Sequence, residues 1–229
     1  EKILDTAVRR VLFAKFAMGL FEDPYGKTFK NRKRHSPESV KLAKTIADES
    51  TVLLKNENQL LPLDTKSLKS IAIIGPNADQ VQFGDYTWSR NNKDGVTPLQ
   101  GIKNRVNKNT AIHYAKGCSL TSLDTSGIAE AVEAAKNSEV AVIFGGSASA
   151  ALARDYKSST CGEGFDLNDL NLTGAQSQLI REVYRTGTPV ILVLVTGKPF
   201  VIEWEKNNLP AILVQWYAGE QAGNSIADI

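Results

Sequence analysis

The residues Cys161-Gly162-Glu163-Gly164-Phe165-Asp166 set one carboxylate between two glycines. Glycine lets a backbone turn tightly, so the intervening side chain can be presented to a ligand. A carboxylate so presented can give or take a proton. The same pattern also fits a flexible loop tip carrying a solvated carboxylate. Arg154 and Asp155 precede it and either contact ligand hydroxyls or pair with each other at the surface. Asp166 reads as a turn or cap residue. An earlier stretch, Gly84-Asp85-Tyr86-Thr87-Trp88, offers an indole face that could stack on a ligand or anchor a loop.

Other chemistries find less support. Ile71–Gly75 reads as a strand ending in glycine, but no G-x-G-x-x-G follows and no phosphate-cradling G-x-x-x-x-G-K-[ST] occurs. The serine-nucleophile pattern G-x-S-x-G is absent, and Gly145-Gly146-Ser147 reads as a flexible turn. The two cysteines, Cys118 and Cys161, show no metal spacing; they are free thiols or one bridge tying the Glu163 loop to an earlier strand. His35 reads as a linker residue and His113 as a strand residue. A formal net charge of +2 argues against nucleic acid or an acidic membrane surface as partner. No apolar run is long enough to span a bilayer. At 229 residues, 42% hydrophobic and 23% charged, the chain has the composition of a globular domain with a sizeable core.

The elements that position these residues follow from periodicity. Residues 1–19 form an amphipathic helical pattern, with Ile3, Leu4, Ala7, Val8, Val11 and Leu12 on one stripe and Gly19 as its stop. A break at Asp23-Pro24-Tyr25-Gly26 leads into a basic linker. Ser36-Pro37-Glu38 starts a second helix, expected to reach Lys55 and to bury Val40, Ala43, Ile46, Ala47, Val52, Leu53 and Leu54. Continuous apolar runs then recur at 71–74, 140–144, 190–195 and 211–214, with a weaker one at 111–115. Continuous runs are how strands buried on both faces of a parallel sheet read. Helical patterns at 126–137 and 174–186 alternate with them. Thr97–Gln100 and Thr173–Gln176 both fit a capping box. The expectation is an α/β fold: an open, mostly parallel sheet with helices on both faces, preceded by a linker helix. Ligands of such sheets bind beyond the carboxyl ends of the strands. The loops after Ile74, Phe144 and Val195 lie there. The second is longer than loops in compact domains usually are.

The chain opens on Glu1-Lys2 without an initiator Met and stops at Ile229 within a helical pattern. Both ends read as cuts in a longer polypeptide, with the last part of the sheet expected beyond.

Taken together, these stretches resemble glycoside hydrolase family 3, the β-glucosidase and β-xylosidase group. Residues 7–12 and Gly19-Leu20-Phe21 resemble the passage out of the family's first domain. Glu49–Asn56 with Leu60-Leu61-Pro62-Leu63 resembles the lead-in to its second domain. Ile71–Ala78, Gly162–Asp166 and Leu194–Pro199 follow in the family's order. The resemblance implies a (β/α)8 barrel followed by an α/β sandwich, with the active site between them. Residues 1–34 are then the barrel's last helix and linker, and residues 35–229 the second domain. The family's nucleophile, an Asp in an Asp-Trp motif on the barrel, has no match here. Its general acid/base, a Glu in a Gly-Glu-Gly-aromatic stretch, matches Glu163. Trp88 matches an aromatic beside the leaving-group sugar, with Arg154 and Asp155 as contacts to sugar hydroxyls.

Retaining hydrolysis uses two carboxyl groups roughly 5–5.5 Å apart, one attacking the anomeric carbon and one shuttling the proton. The resemblance therefore implies half of a retaining β-glycosidase that needs no metal or cofactor. The expected partners are a β-linked glycoside and the absent barrel, with self-association where the barrel is missing. A secreted or periplasmic location is implied as well. The isolated chain is expected to be inactive. The rival expectation is a non-catalytic α/β module binding sugar or protein.

Overall fold

A computed structural model describes residues 1–25, 35–87, 89, 92–149 and 159–229. The elements run α1 (Lys2–Ala17), α2 (Pro37–Ser50), β1 (Val52–Asn56), β2 (Ser70–Ile74), α3 (Pro98–Arg105), β3 (Ala111–Ala115), α4 (Ile128–Lys136), β4 (Val140–Gly146), α5 (Gln176–Tyr184), β5 (Val190–Val195), α6 (Glu203–Asn208), β6 (Ala211–Val214) and α7 (Ala222–Asp228). The chain divides into two compact units, Glu1–Ser39 and Val40–Ile229.

In the first unit, α1 ends as its sequence dictates. The amide of Leu20 donates to the carbonyl of Lys15 and that of Gly19 to Phe16, both at 3.0 Å. This double bond pattern needs a left-handed residue after the helix, and Gly19 supplies it with φ 67°. None of α1's side chains is buried, and Ile3, Leu4, Val11, Phe13 and Phe16 are all exposed. Helix α2 begins on its predicted cap, with the Ser39 amide donating to Ser36 Oγ at 3.2 Å and Pro37 at the first helical position.

The second unit is built on a six-stranded sheet in the order β1-β6-β5-β4-β2-β3. The pairs from β3 through to β6 are parallel. Strand β1 closes one edge antiparallel to β6, with Val52 opposite Val214 and an irregularity between Leu53 and Lys55. The expected helix to Lys55 is therefore corrected: it stops at Ser50, and Val52, Leu53 and Leu54 are exposed edge-strand residues. The hydroxyls of Ser50 and Thr51 both bond the Ala47 carbonyl at 3.2 and 3.0 Å, competing with continuation of the helix. Pairing with β6 then offers the β-branched and leucine residues a ladder. Ile46, expected inside, is exposed as well.

The continuous apolar runs have the expected cause: both faces of the sheet are covered. Ala72, Ile74, Ala141, Ile143, Leu192, Leu194 and Ile212 pack with Ile128 and Ala131 of α4 and Leu179, Ile180 and Val183 of α5. The alternate residues Ile71, Ile73, Val142, Phe144, Ile191, Val193 and Leu213 pack with Leu99 and Ile102 of α3. Cys118 belongs to the first of these cores, where burial pushes its thiol up to about 11. Cys161 is also buried and both cysteines are free, so the single-bridge alternative does not hold.

Of the two expected capping boxes one forms by half, its Gln100 side chain donating to Asn104 Oδ1 at 2.7 Å, and the other does not form. Thr97 Oγ1 accepts from the Gln100 amide at 3.2 Å. Thr173 instead donates to the Leu120 carbonyl at 2.6 Å, and α5 begins only at Gln176. Gln176 is buried and drawn to the sheet: it accepts from the Gly146 amide at 2.8 Å and donates to the Gly146 carbonyl at 3.0 Å. A strand end that needs both backbone groups satisfied outcompetes the cap.

Helices α3 and α7 meet backbone to backbone. A Cβ on Gly101 would lie 1.9 Å from the Gly223 carbonyl oxygen, and one on Gly223 would lie 2.0 Å from that of Thr97. Gly101→Ala is expected to destabilise the protein by about 2–3 kcal/mol through overpacking. Denaturant unfolding should show a lower midpoint at unchanged slope, and an unmoved midpoint would disprove the close approach.

Candidate active site

Leaving aside β1, the strands lie in the spatial order β3-β2-β4-β5-β6. From β2 the chain first moves outward to β3, then returns past β2 to β4. The connections thus diverge between β2 and β4, and such a reversal opens a crevice beyond the carboxyl ends of the two strands. The loops that follow β2 and β4 rise there. They carry Asp85 and Glu163.

The floor is a set of buried polar groups. Asn77, in the loop just after β2, is fully buried and donates from Nδ2 to the carbonyls of Gly145 and Ser147, each at 3.3 Å. Gln82 Nε2 orients it by donating to its Oδ1 at 2.8 Å. Beyond β4, Ser147 is likewise fully buried. Its hydroxyl donates to Thr196 Oγ1 at 3.0 Å, and Thr196 donates to the Lys198 carbonyl at 2.7 Å. Ser147 Oγ lies 2.6 Å from the Tyr217 hydroxyl, which lies 2.7 Å from Cys161 Sγ. Each hydroxyl has one proton to give. With the Ser147 proton committed to Thr196, Tyr217 donates to Ser147, and the Cys161 thiol donates to Tyr217. Burial first, and the neighbouring thiol second, push the Tyr217 phenol up, so it remains a donor.

This chain of donors ties the start of the loop after β4 to its end. Backbone bonds complete the stem: Thr160 and Cys161 donate to the Ala148 carbonyl at 3.0 and 3.3 Å. Ser149 pairs with Cys161 in an isolated parallel bridge. Reading Gly145-Gly146-Ser147 as a flexible turn is corrected here. The two glycines finish β4, and Ser147 is a buried junction.

Glu163 stands two residues past this stem. The Phe165 amide donates to the Gly162 carbonyl at 3.1 Å, closing a turn with Glu163 and Gly164 at its corners. Gly164 has φ 77°, the left-handed value a type II turn requires at its second corner, and Gly162 has φ 117°. A Cβ on Gly164 would meet nothing within 4 Å, so backbone conformation rather than space demands glycine there. The backbone amide of Glu163 donates to Asp85 Oδ2 at 2.9 Å. Ser149 Oγ donates to the other oxygen of the same carboxylate. Asp85 is in turn set by a tight bend in which Thr87 Oγ1 donates to the Gly84 carbonyl at 3.0 Å. The Glu163 side chain is exposed.

Glu163 and the Asp85 loop, flagged from sequence, are thus brought together. Trp88, Arg154 and Asp155 lie outside the described residues. Asp166 is exposed and caps no helix. Sequence reasoning missed the roles of Asp85, Ser147, Cys161 and Tyr217. The side-chain partners named above are 49 to 78 residues away, beyond any local pattern. No group of side chains suited to a metal ion occurs among the described residues. A separate recess of about 120 Å³ is walled mostly by apolar side chains such as Leu61, Leu63, Ile71 and Phe144, and the Arg105 and Asp228 that also line it pair with each other at 3.1 Å.

Tyr217→Phe keeps the ring and removes the hydroxyl. It should cost about 1–3 kcal/mol, because Ser147 and Cys161 lose a buried partner. Amide exchange at Cys161 and Glu163 should accelerate with it, whereas unchanged exchange would separate the buried junction from the loop.

The pattern of the glycosyl hydrolase family 3 C-terminal domain matches residues 51–229. A β-xylosidase of Formosa agariphila is 38% identical over 235 residues, covering 100% of this chain and 31% of its own length. A periplasmic β-glucosidase of Salmonella typhimurium is 36% identical over 258 residues, covering 99% of this chain and 32% of its own. The crystal structure of a β-glucosidase from Listeria innocua in complex with isofagomine superposes with a TM-score of 0.81 at 31% identity, over 100% of this chain and 30% of that one. The chain spans under a third of the length of each. With that pattern carried through the whole sheet, from β1 to α7, the chain belongs to glycoside hydrolase family 3.

Proposed function

We propose that Glu163 is the general acid/base of a retaining β-glycosidase whose nucleophile comes from a barrel domain outside residues 1–229. The observation that carries this reading is the placement of Glu163. It is an exposed carboxylate on a glycine-flanked turn, held by its backbone at the crevice where the strand order reverses. Its carboxylate has no hydrogen bond or ion pair with any described residue, which leaves it available to a substrate. In the first step it protonates the departing glycosidic oxygen while the nucleophile attacks the anomeric carbon. In the second it takes a proton from water, which attacks the same carbon and releases the nucleophile.

The relatives' names point to a β-linked glucoside or xyloside as substrate. Trp88, Arg154 and Asp155 are assigned to the leaving-group side of the cleft. Residues 1–34 are assigned to the passage out of the barrel and residues 35–229 to the second domain. A secreted or periplasmic location goes with this reading, as in the Salmonella relative.

The test is made in the full-length polypeptide. Glu163→Ala should lower kcat/KM on a phenyl β-glycoside by about 10²–10⁴-fold. A dinitrophenyl glycoside, whose leaving group needs no proton, should be affected far less in kcat/KM, and azide should partly restore turnover. Equal loss on both substrates, or none, would remove Glu163 from the role. The isolated 229-residue chain should hydrolyse neither.

A further inference from the structure

We infer that Asp85 is a positioning residue for the acid/base: its single carboxylate clamps both stems of the loop that carries Glu163, and so sets where that side chain stands in the cleft. The inference rests on the reading of Glu163 given above and adds to it a residue from a different loop.

The geometry is specific. Asp85 comes from the loop after β2, 64 residues from Ser149 and 78 from Glu163. Its Oδ1 takes the hydroxyl of Ser149, on the outgoing stem, and its Oδ2 takes the backbone amide of Glu163, just past the returning one. Ser149 and Cys161 already face each other across the stem. The carboxylate therefore closes a triangle whose third side is the base of the loop. Hydrogen bonds to an ionised acceptor are shorter and stronger than neutral ones. Both acceptor oxygens are used on the same loop, so neither stem can shift without breaking a bond.

The bond to Glu163 reaches its amide and leaves its carboxylate untouched. Asp85 thus fixes the turn without competing for the group that must reach the substrate. Tyr86, the next residue, sits at φ 60°, a left-handed backbone uncommon for a side chain of that size. Thr87 closes the bend from the other side. The uncommon conformation belongs to Tyr86, and it turns the chain immediately after Asp85.

Asparagine at position 85 can replace both bonds. Its carbonyl oxygen accepts from the Glu163 amide, and its NH₂ donates to Ser149 Oγ, which rotates its proton elsewhere. Alanine can replace neither. The experiment uses the full-length polypeptide with Asp85→Ala, Asp85→Asn, Glu163→Ala and the Asp85→Ala/Glu163→Ala double variant. Each is assayed on phenyl and dinitrophenyl β-glycosides.

Asp85→Ala is expected to lower kcat/KM on the phenyl substrate by about 10–100-fold, the scale of a misplaced catalytic group. On the dinitrophenyl substrate it should lose less than about threefold, because that leaving group departs unaided. Asp85→Asn should stay within about threefold of the parent on both. In the Glu163→Ala background, Asp85→Ala should cost nothing further, since there is no acid left to position.

Parent-like activity of Asp85→Ala would overturn the inference. So would equal loss on both substrates, additive loss in the double variant, or an Asp85→Asn as poor as Asp85→Ala. If Asp85→Ala fails to fold, Ser149→Ala takes its place. It removes one arm of the clamp and should show the same leaving-group dependence to a smaller degree; its absence overturns the inference. Should Glu163→Ala itself show no leaving-group dependence, both readings fall. Should Glu163→Ala show it and Asp85→Ala not, only the clamp falls.

Discussion

A buried hydroxyl is tolerable only when its hydrogen bonds are made, and the run from Cys161 through Tyr217, Ser147 and Thr196 to the Lys198 carbonyl makes them in sequence. Each group in it is both relieved by one neighbour and required by the next. Such a run strengthens as a unit and fails as a unit. It joins four separate pieces of chain: the end of β4, the return of the long loop, the segment after β5 and the segment after β6. The turn bearing Glu163 leaves directly from this junction. A loop tip in open solvent therefore has an immobile root, and everything the site does depends on that root staying paired.

The sheet explains why the chemistry is on loops at all. Every residue of β4 and β5 is buried, because helices cover both faces. An ionised side chain in those strands would lose its hydration without gaining a partner, at a cost of several kcal/mol. The strands can offer position but not charge. The reversal between β2 and β4 spreads the helices apart at one point and leaves the loops from those two strands as close neighbours. Asp85 comes from one and Glu163 from the other, and they bond across the gap.

What was legible in the sequence is what depends on near neighbours. The parallel strands show as unbroken apolar runs because two cores share them, and the caps at Gly19, Ser36 and Thr97 act within a single turn of helix. Where a local preference competes with a distant partner, the sequence misleads. Val52-Leu53-Leu54 continues a helical stripe until β6 pairs with it, and Gln176 sits at a capping position until the Gly146 backbone claims it. For the site, the Gly-Glu-Gly pattern identifies the turn because its glycines serve a backbone shape that is itself local. Asp85, Ser147 and Tyr217 carry no such signature. One aspartate among 25 acidic residues means nothing until the fold sets its two oxygens against a hydroxyl and an amide on another loop.

If Glu163 has the proposed acid/base role, the way it is held also bears on how one side of an active site can be stable by itself. Its backbone is fastened and its carboxylate left in water, where an unpaired charge costs nothing. Burying the same group before its counterpart arrived would leave an uncompensated charge in low dielectric. Fastening the backbone removes much of the conformational freedom that closure would otherwise have to take away. What remains is a few side-chain torsions, which a substrate seated between two surfaces can order at small expense. Under the proposed role, separating the anchor from the reactive group in this way would let the two carboxylates of a glycosidase reside in different domains. The proposed reactive pair would then form only where the two domains face each other across a sugar.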